Sequence, residues 1–200
     1  MAARQTLGSL IAGFVLMFSR PFTIGDWVEI GGHEGIVTNI TIMNTRMKNF
    51  DGESIIIPND RVSNQAITNR SSQGHLRLRV DVGVDYGTDP EHAERVAVEA
   101  ISEARPVSES PAPQVIPKAF GDSAIVLELR FWIDHPTPAR KWRAVSEVIH
   151  AVKADFEAEG IKIPFPQREL SGRAETGGFQ VHNGMGEPRG TGEVEPSPED

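Results

Sequence analysis

A chain of 200 residues holds one large domain or two small ones and can bury a substantial core. Hydrophobic residues make up 38% and charged residues 24%, a globular balance, and the lack of cysteine excludes disulfides, thiolate nucleophiles and cysteine-ligated metal. The net charge of −8 lies late in the chain: residues 1–19 carry +1, 20–80 carry +1, 81–170 carry −6 and 171–200 carry −4, which argues against nucleic acid as the main partner.

The first element is an apolar helix over about Gln5–Ser19. Its twelve residues from Leu7 to Phe18 carry no charge. As a helix they cover roughly 18 Å, against about 30 Å for a bilayer core. Pro21 ends the helix, because proline disfavours helical geometry in the residue before it. A cleaved signal peptide is disfavoured, since no A-x-A site precedes Arg20. Gly8, Ser9, Ala12, Gly13 and Leu16 fall close together on a helical wheel, with Leu7, Leu10, Phe14, Met17 and Phe18 opposite. Such a small face suits either close approach of helices in a membrane or packing against a sheet.

Residues Phe22 to Ser72 read as β. Short alternating runs at Trp27–Ile30, Gly35–Ile42, Asn44–Asn49 and Ser54–Ile57 are separated by turn signals at Gly31-Gly32, Asp51-Gly52 and Pro58-Asn59. This spacing predicts a small barrel. From about His75 the pattern alternates β and α. Leu76–Val84 is a strand, and Asp89-Pro90 opens a helix reaching about Ala104 that buries Ala93, Val96, Ala97 and Ile101. Ala124–Ile133 alternates strictly. Thr137-Pro138 opens a second helix, with Val145, Val148, Ile149, Val152 and Phe156 buried, which stops at Gly160. The order strand–helix–strand–strand–helix fits a ferredoxin-like α+β layer. Residues 171–200 are rich in Gly, Pro and Glu and predict a disordered acidic tail.

No catalytic constellation emerges. His33, His75, His92, His135, His150 and His182 are scattered without ligand spacing, so no metal is expected and surface or capping roles suit them. No phosphate-cradling glycine motif follows a strand, and Gly31-Gly32 with Gly35 is explained by turns. Asp81 and Asp85 read as solvated rim residues. The expectation is a protein without enzymatic activity or cofactor.

Several motifs then occur together in a specific order. They are Leu7-Gly8-Ser9-Leu10 with Ala12-Gly13, Ser19-Arg20-Pro21-Phe22, and Ile24-Gly25-Asp26-Trp27-Val28. Gly35-Ile36-Val37, Ile42, Thr45-Arg46-Met47, Asp51-Gly52 and Ile55-Ile56-Ile57-Pro58-Asn59 follow. Ile67 to Asn69 with Ser71, Gly160-Ile161 and Ile163-Pro164-Phe165-Pro166-Gln167 complete the series. Over about Gln5–Leu170 the chain resembles the small-conductance mechanosensitive (MscS-like) channel family.

The resemblance implies a homoheptamer in the cell membrane, gated by tension and passing ions for osmotic protection, with residues from about 20 onward in the cytoplasm. Residues 1–19 would be the second half of the pore-lining helix, 20–72 an Sm-like β-barrel, 73–170 a ferredoxin-like α/β domain and 171–200 the tail. It further implies that Gly8, Ser9, Ala12 and Gly13 pack helix on helix, and that Leu10, Phe14 and Phe18 meet lipid or the barrel. Arg20, Pro21 and Phe22 would form the joint between membrane and vestibule. Arg20 would sit among headgroups, although a helix C-terminal charge has the same sequence signature. The family's helix kink would fall near Arg4-Gln5, where many members carry glycine, so the chain is expected to start at the hinge and to lack the pore constriction. Alone it would not conduct, because spanning hydrocarbon takes a closed set of helices. The alternative is a soluble binding or scaffold module built on the same two domains. An RNA-binding barrel is disfavoured by the acidic balance.

Overall fold

The computed structural model describes the backbone of residues 2–168 and the side chains of residues 10–168. The expected tail at 171–200 lies outside the described residues. The chain begins with α1 (Ala2–Ser19). Five short strands follow, β1 (Trp27–Ile30), β2 (His33–Ile40), β3 (Asn44–Lys48), β4 (Ser54–Pro58) and β5 (Ile67–Asn69). They form one antiparallel sheet in the order β4-β3-β2-β1-β5. A short helix, α2 (Asn59–Ser63), connects the two edge strands.

Local chemistry explains the sheet. Ile30 pairs with His33, leaving Gly31 and Gly32 as a two-residue loop, and both have positive φ (56° and 82°). That is the backbone a tight hairpin requires and that β-carbons oppose. A register shift between Val37 and Asn39 bends β2 against β3. One face of the sheet gathers Phe22, Val28, Ile30, Val37, Met47, Ile57 and Val62, and Leu16 of α1 belongs to the same cluster. The apolar helix is thus part of this core.

The second half holds β6 (His75–Val84), α3 (Pro90–Glu103), β7 (Gln114–Phe120), β8 (Ile125–Asp134) and α4 (Pro138–Ala158). The antiparallel sheet runs β6-β8-β7, and α3 and α4 pack on it and on each other. Both helices start as the sequence indicates: Asp89 accepts from the Glu91 N–H and Thr137 from the Arg140 N–H, each followed by proline. Gly160, at φ 68°, ends the α4 region. The strand order is that of a ferredoxin-like layer with three of its four strands among the described residues. In place of the fourth, the Asp85 N–H donates to the Lys162 carbonyl at 2.9 Å.

Two expectations need correcting. Ile149 is 45% exposed, because the buried stripe of α4 runs Ala144, Val148, Val152 and Phe156, and Ile149 lies at its edge. Asp81 and Asp85 are not merely solvated, since Asp81 accepts from the Lys118 ammonium at 2.7 Å and Asp85 pairs with Lys162 at 3.1 Å.

Candidate functional site at the helix–sheet junction

The face that α1 turns to α2 and to the β2–β3 turn carries Ala12, Gly13 and Leu16, all buried. Gly13 is the point of closest approach. A β-carbon there would lie 2.0 Å from the Ile42 carbonyl oxygen, 2.8 Å from its carbon and 3.1 Å from Asn59 Nδ2. Only a residue without a side chain lets the helix sit this deep on the β2–β3 turn.

The turn beneath the helix cannot easily yield. Asn59 is fully buried, and its Nδ2 donates to the carbonyls of Thr41 (2.9 Å) and Ile42 (3.1 Å). Its backbone N–H donates to the Met43 carbonyl at 2.9 Å, and its Oδ1 accepts from the buried Thr45 hydroxyl at 3.0 Å. Thr41 adds a clasp: its hydroxyl donates to the Asn44 carbonyl and accepts from the Asn44 N–H. A buried amide with both ends used fixes the carbonyls that it touches, because breaking any one bond strands a polar group away from water.

The joint at Arg20, Pro21 and Phe22 is tied to the other edge of the sheet. Arg20 adopts left-handed geometry (φ 42°), and its N–H donates to the Leu16 carbonyl at 3.0 Å, closing the last turn of α1. Phe22 then buries its ring in the sheet core. Asn69 at the end of β5 donates through Nδ2 to the Pro21 carbonyl (3.3 Å) and to Asp26 Oδ2 (2.8 Å). Asp26 also accepts from the Thr23 N–H at 2.8 Å and from the Ser71 hydroxyl at 3.3 Å. Burial pushes the Asp26 carboxyl up, but the donors from Thr23, Asn69 and Ser71 outweigh it and hold the group below the usual aspartate range.

The expected site residues therefore divide. Ala12 and Gly13 lie together against their own chain, and Phe22 is in the core. Leu10 is half-buried, and Phe14 and Phe18 are exposed, Phe18 by 88%. With Ile11, Val15 and Met17 these two phenylalanines make an uncovered apolar band on the far side of α1. Arg20 and Pro21 are exposed. The side chains of Gly8 and Ser9 lie outside the described ones. Ile42, Thr45, Asn59 and Asn69 stand in the motif series of the sequence, but their place in the seat was not legible there; by its local chemistry Pro58-Asn59 read as a strand stop. Among the described residues no helix is long and apolar enough to cross a membrane, and no cluster of His, Asp and Glu is arranged to hold a metal ion.

Two family models match in order. Residues 5–72 fit the mechanosensitive ion channel beta-domain, and residues 78–163 fit the MscS C-terminal domain. The chain belongs to the MscS family. An uncharacterized MscS family protein of Archaeoglobus fulgidus is 33% identical over 168 residues, which is 84% of this chain and 58% of that protein. The small-conductance mechanosensitive channel MscMJ of Methanocaldococcus jannaschii is 32% identical over 168 residues, 83% of this chain and 48% of that one. The chain thus spans about half the length of the curated MscS relatives that it matches. Helicobacter pylori MscS, solved in its closed state, superposes with a TM-score of 0.78 at 28% identity over 86% of this chain and 67% of that one. The MscS fold is accordingly the fold of this chain, an N-terminal helix with a β domain and a C-terminal α+β domain.

Proposed function

We propose that this chain is the pore-proximal and cytoplasmic vestibule portion of a tension-gated ion channel, working as a homo-oligomer, a heptamer by family likeness. Membership in the family supports the reading, and one feature of the chain carries it: an apolar helix seated through Gly13 on the Ile42 carbonyl, with its opposite face uncovered. A helix held this closely cannot tilt without moving the turn that Asn59 holds. Displacement of the helix by tension would pass directly into the β domain. Tension then acts as a ligand that prefers the state of larger in-plane area. No bond is made or broken, so no catalytic group is required.

In this reading Gly8, Ser9, Ala12 and Gly13 set how closely α1 packs against neighbouring helices, with Ala12 and Gly13 set against α2 and the β2–β3 turn of their own chain. Phe14 and Phe18 face lipid, and half-buried Leu10 faces lipid or the β domain. Arg20, Pro21 and Phe22 form the joint between membrane surface and cytoplasm, and 20–72 and 73–170 are the two vestibule domains. Ions are the permeant species. Expression of the complete gene in cells lacking their own mechanosensitive channels tests this. The protein should enter the membrane fraction and raise survival of sudden osmotic dilution. Recovery in the soluble fraction without detergent, with no effect on survival, would overturn it.

A further inference from the structure

A second feature is unrelated to the helix seat. β6 is an edge strand, and beside it opens a cleft of about 750 Å³. Its walls include Arg70, His75, Arg77, Arg79, Trp132 and Lys141. The side chains of His75, Arg77 and Arg79 share one face of β6 by alternation, at steps of about 7 Å.

The charges in this cleft are unequal in status. Arg70 is already neutralised, at 2.6 Å from Glu29 and 3.1 Å from Glu34. Arg77, Arg79 and Lys141 form no ion pair with any carboxylate among the described residues. Instead, aromatic rings hold two of them. The Arg77 guanidinium lies over Trp132 at 5.8 Å, and the Lys141 ammonium lies 5.7 Å from the Trp27 ring and 4.9 Å from the Trp142 ring. Cation–π contact positions a charged head without cancelling its charge. Across the ladder from Arg79 stands Arg130, whose charge is taken by Glu128. On a chain of net charge −8, three cations without a carboxylate partner among the described residues line one cleft, Arg77 and Arg79 from the helix-free face of β6 and Lys141 from α4. The outer edge of β6 has no strand partner among the described residues and adds backbone N–H groups.

We propose that this cleft binds a phosphate-bearing anion of two or more negative charges, with Arg77 and Arg79 as its ligands and Lys141, which enters the cleft from α4 on the other face of the sheet, as an outlying charge. Guanidinium forks match phosphate oxygens two at a time, and an ammonium serves as a point charge beside them. Arg70, already paired, forms the wall.

Calorimetric titration of the purified full chain with inorganic pyrophosphate at fixed ionic strength tests the site. Saturable binding of one anion per chain is expected. Arg79→Gln should weaken it by about tenfold or more, the loss of one charge-assisted bond, and Lys141→Gln by a smaller factor, the loss of an outlying charge. Arg79→Lys should weaken it less, and Lys153→Gln, outside the cleft, should leave it unchanged. Thermal unfolding of each variant confirms that it is folded. Adenosine triphosphate and phosphatidylcholine vesicles with phosphatidic acid are the other arms. Tighter, Arg79-dependent binding of the nucleotide assigns a soluble nucleoside phosphate, whereas Arg79-dependent capture on the vesicles assigns a lipid headgroup. Absence of saturable binding, as when a neighbouring copy covers the cleft, would overturn the proposal. So would equal binding by wild type and both glutamine variants. Neither outcome bears on conduction, so this site stands or falls apart from the channel reading.

Discussion

Gly13→Ala is the sharpest perturbation of the junction. In an ordinary helix interior, replacing glycine by alanine stabilises by about 1 kcal/mol, because alanine loses less backbone freedom on folding. Here the new β-carbon would start 2.0 Å from the Ile42 oxygen, where real β-carbons stay beyond 3.0 Å. Helix and turn must therefore separate by about 1 Å (the difference of those two distances). The turn resists, since Asn59 bonds the Thr41 and Ile42 carbonyls directly. The helix must lift instead, loosening Ala12 and Leu16 from α2 and the turn. Overpacking of this kind costs about 1–3 kcal/mol. Set against the propensity gain, the net effect is a loss of up to about 2 kcal/mol. For a chain of this size that lowers Tm by up to about 8 °C. Thermal unfolding of the purified protein in detergent micelles measures it, and Gly13→Val should fall further. A Gly13→Ala protein more stable than wild type would refute the reasoning, because the helix would then have room at Gly13.

Asn59→Ala strands the Thr45 hydroxyl and frees two turn carbonyls; a loss of about 2–3 kcal/mol is expected in chemical denaturation. The lowered pKa of Asp26 makes its contribution fully present above the ordinary aspartate value of 3.8 and lost as pH falls through the folded value. Asp26→Asn should therefore remove part of the acid-induced fall in stability, leaving the parts from Asp85 and Glu128, whose carboxyls are likewise held low by their partners. The double change Phe14→Ser with Phe18→Ser should lower folding stability by only about 1–2 kcal/mol, since Phe18 is exposed and Phe14 half covered. It should weaken association with lipid vesicles at least about tenfold in a flotation assay, because each ring contributes about 1.5–3 kcal/mol when buried.

What was legible in the sequence was local. Asp89-Pro90 and Thr137-Pro138 mark helix starts because capping needs only neighbouring residues. The alternation through β8 is read from side chains two apart, and Gly31-Gly32 from the backbone demands of a two-residue loop. The small face of α1 was visible too, and Ala12, Gly13 and Leu16 do lie on one side. Its partner was not visible, because the atom that meets Gly13 is a backbone carbonyl, and any residue at position 42 would present one. Asn59 likewise looked like punctuation after a strand, since a buried amide bridging distant carbonyls leaves no periodic trace. Ile149 misled for a related reason: the 3.6-residue period sets a buried stripe but not its width, and α3 and the sheet leave its edge uncovered. That Arg77, Arg79 and Lys141 meet no carboxylate among the described residues depends on which groups the fold brings near. That is a tertiary property.

Patch-clamp recording of the complete protein, in membranes without other mechanosensitive channels, tests the central claim most directly. Stretch-activated current is predicted, and Asn59→Ala should shift the tension at half-activation while leaving the single-channel current unchanged. A change of about 1.4 kcal/mol between states is a tenfold change in their ratio, so even partial loosening of the seat is measurable. No stretch-activated current, or a tension response identical in wild type and Asn59→Ala, would contradict a helix coupled to the sheet through Gly13, Ile42 and Asn59.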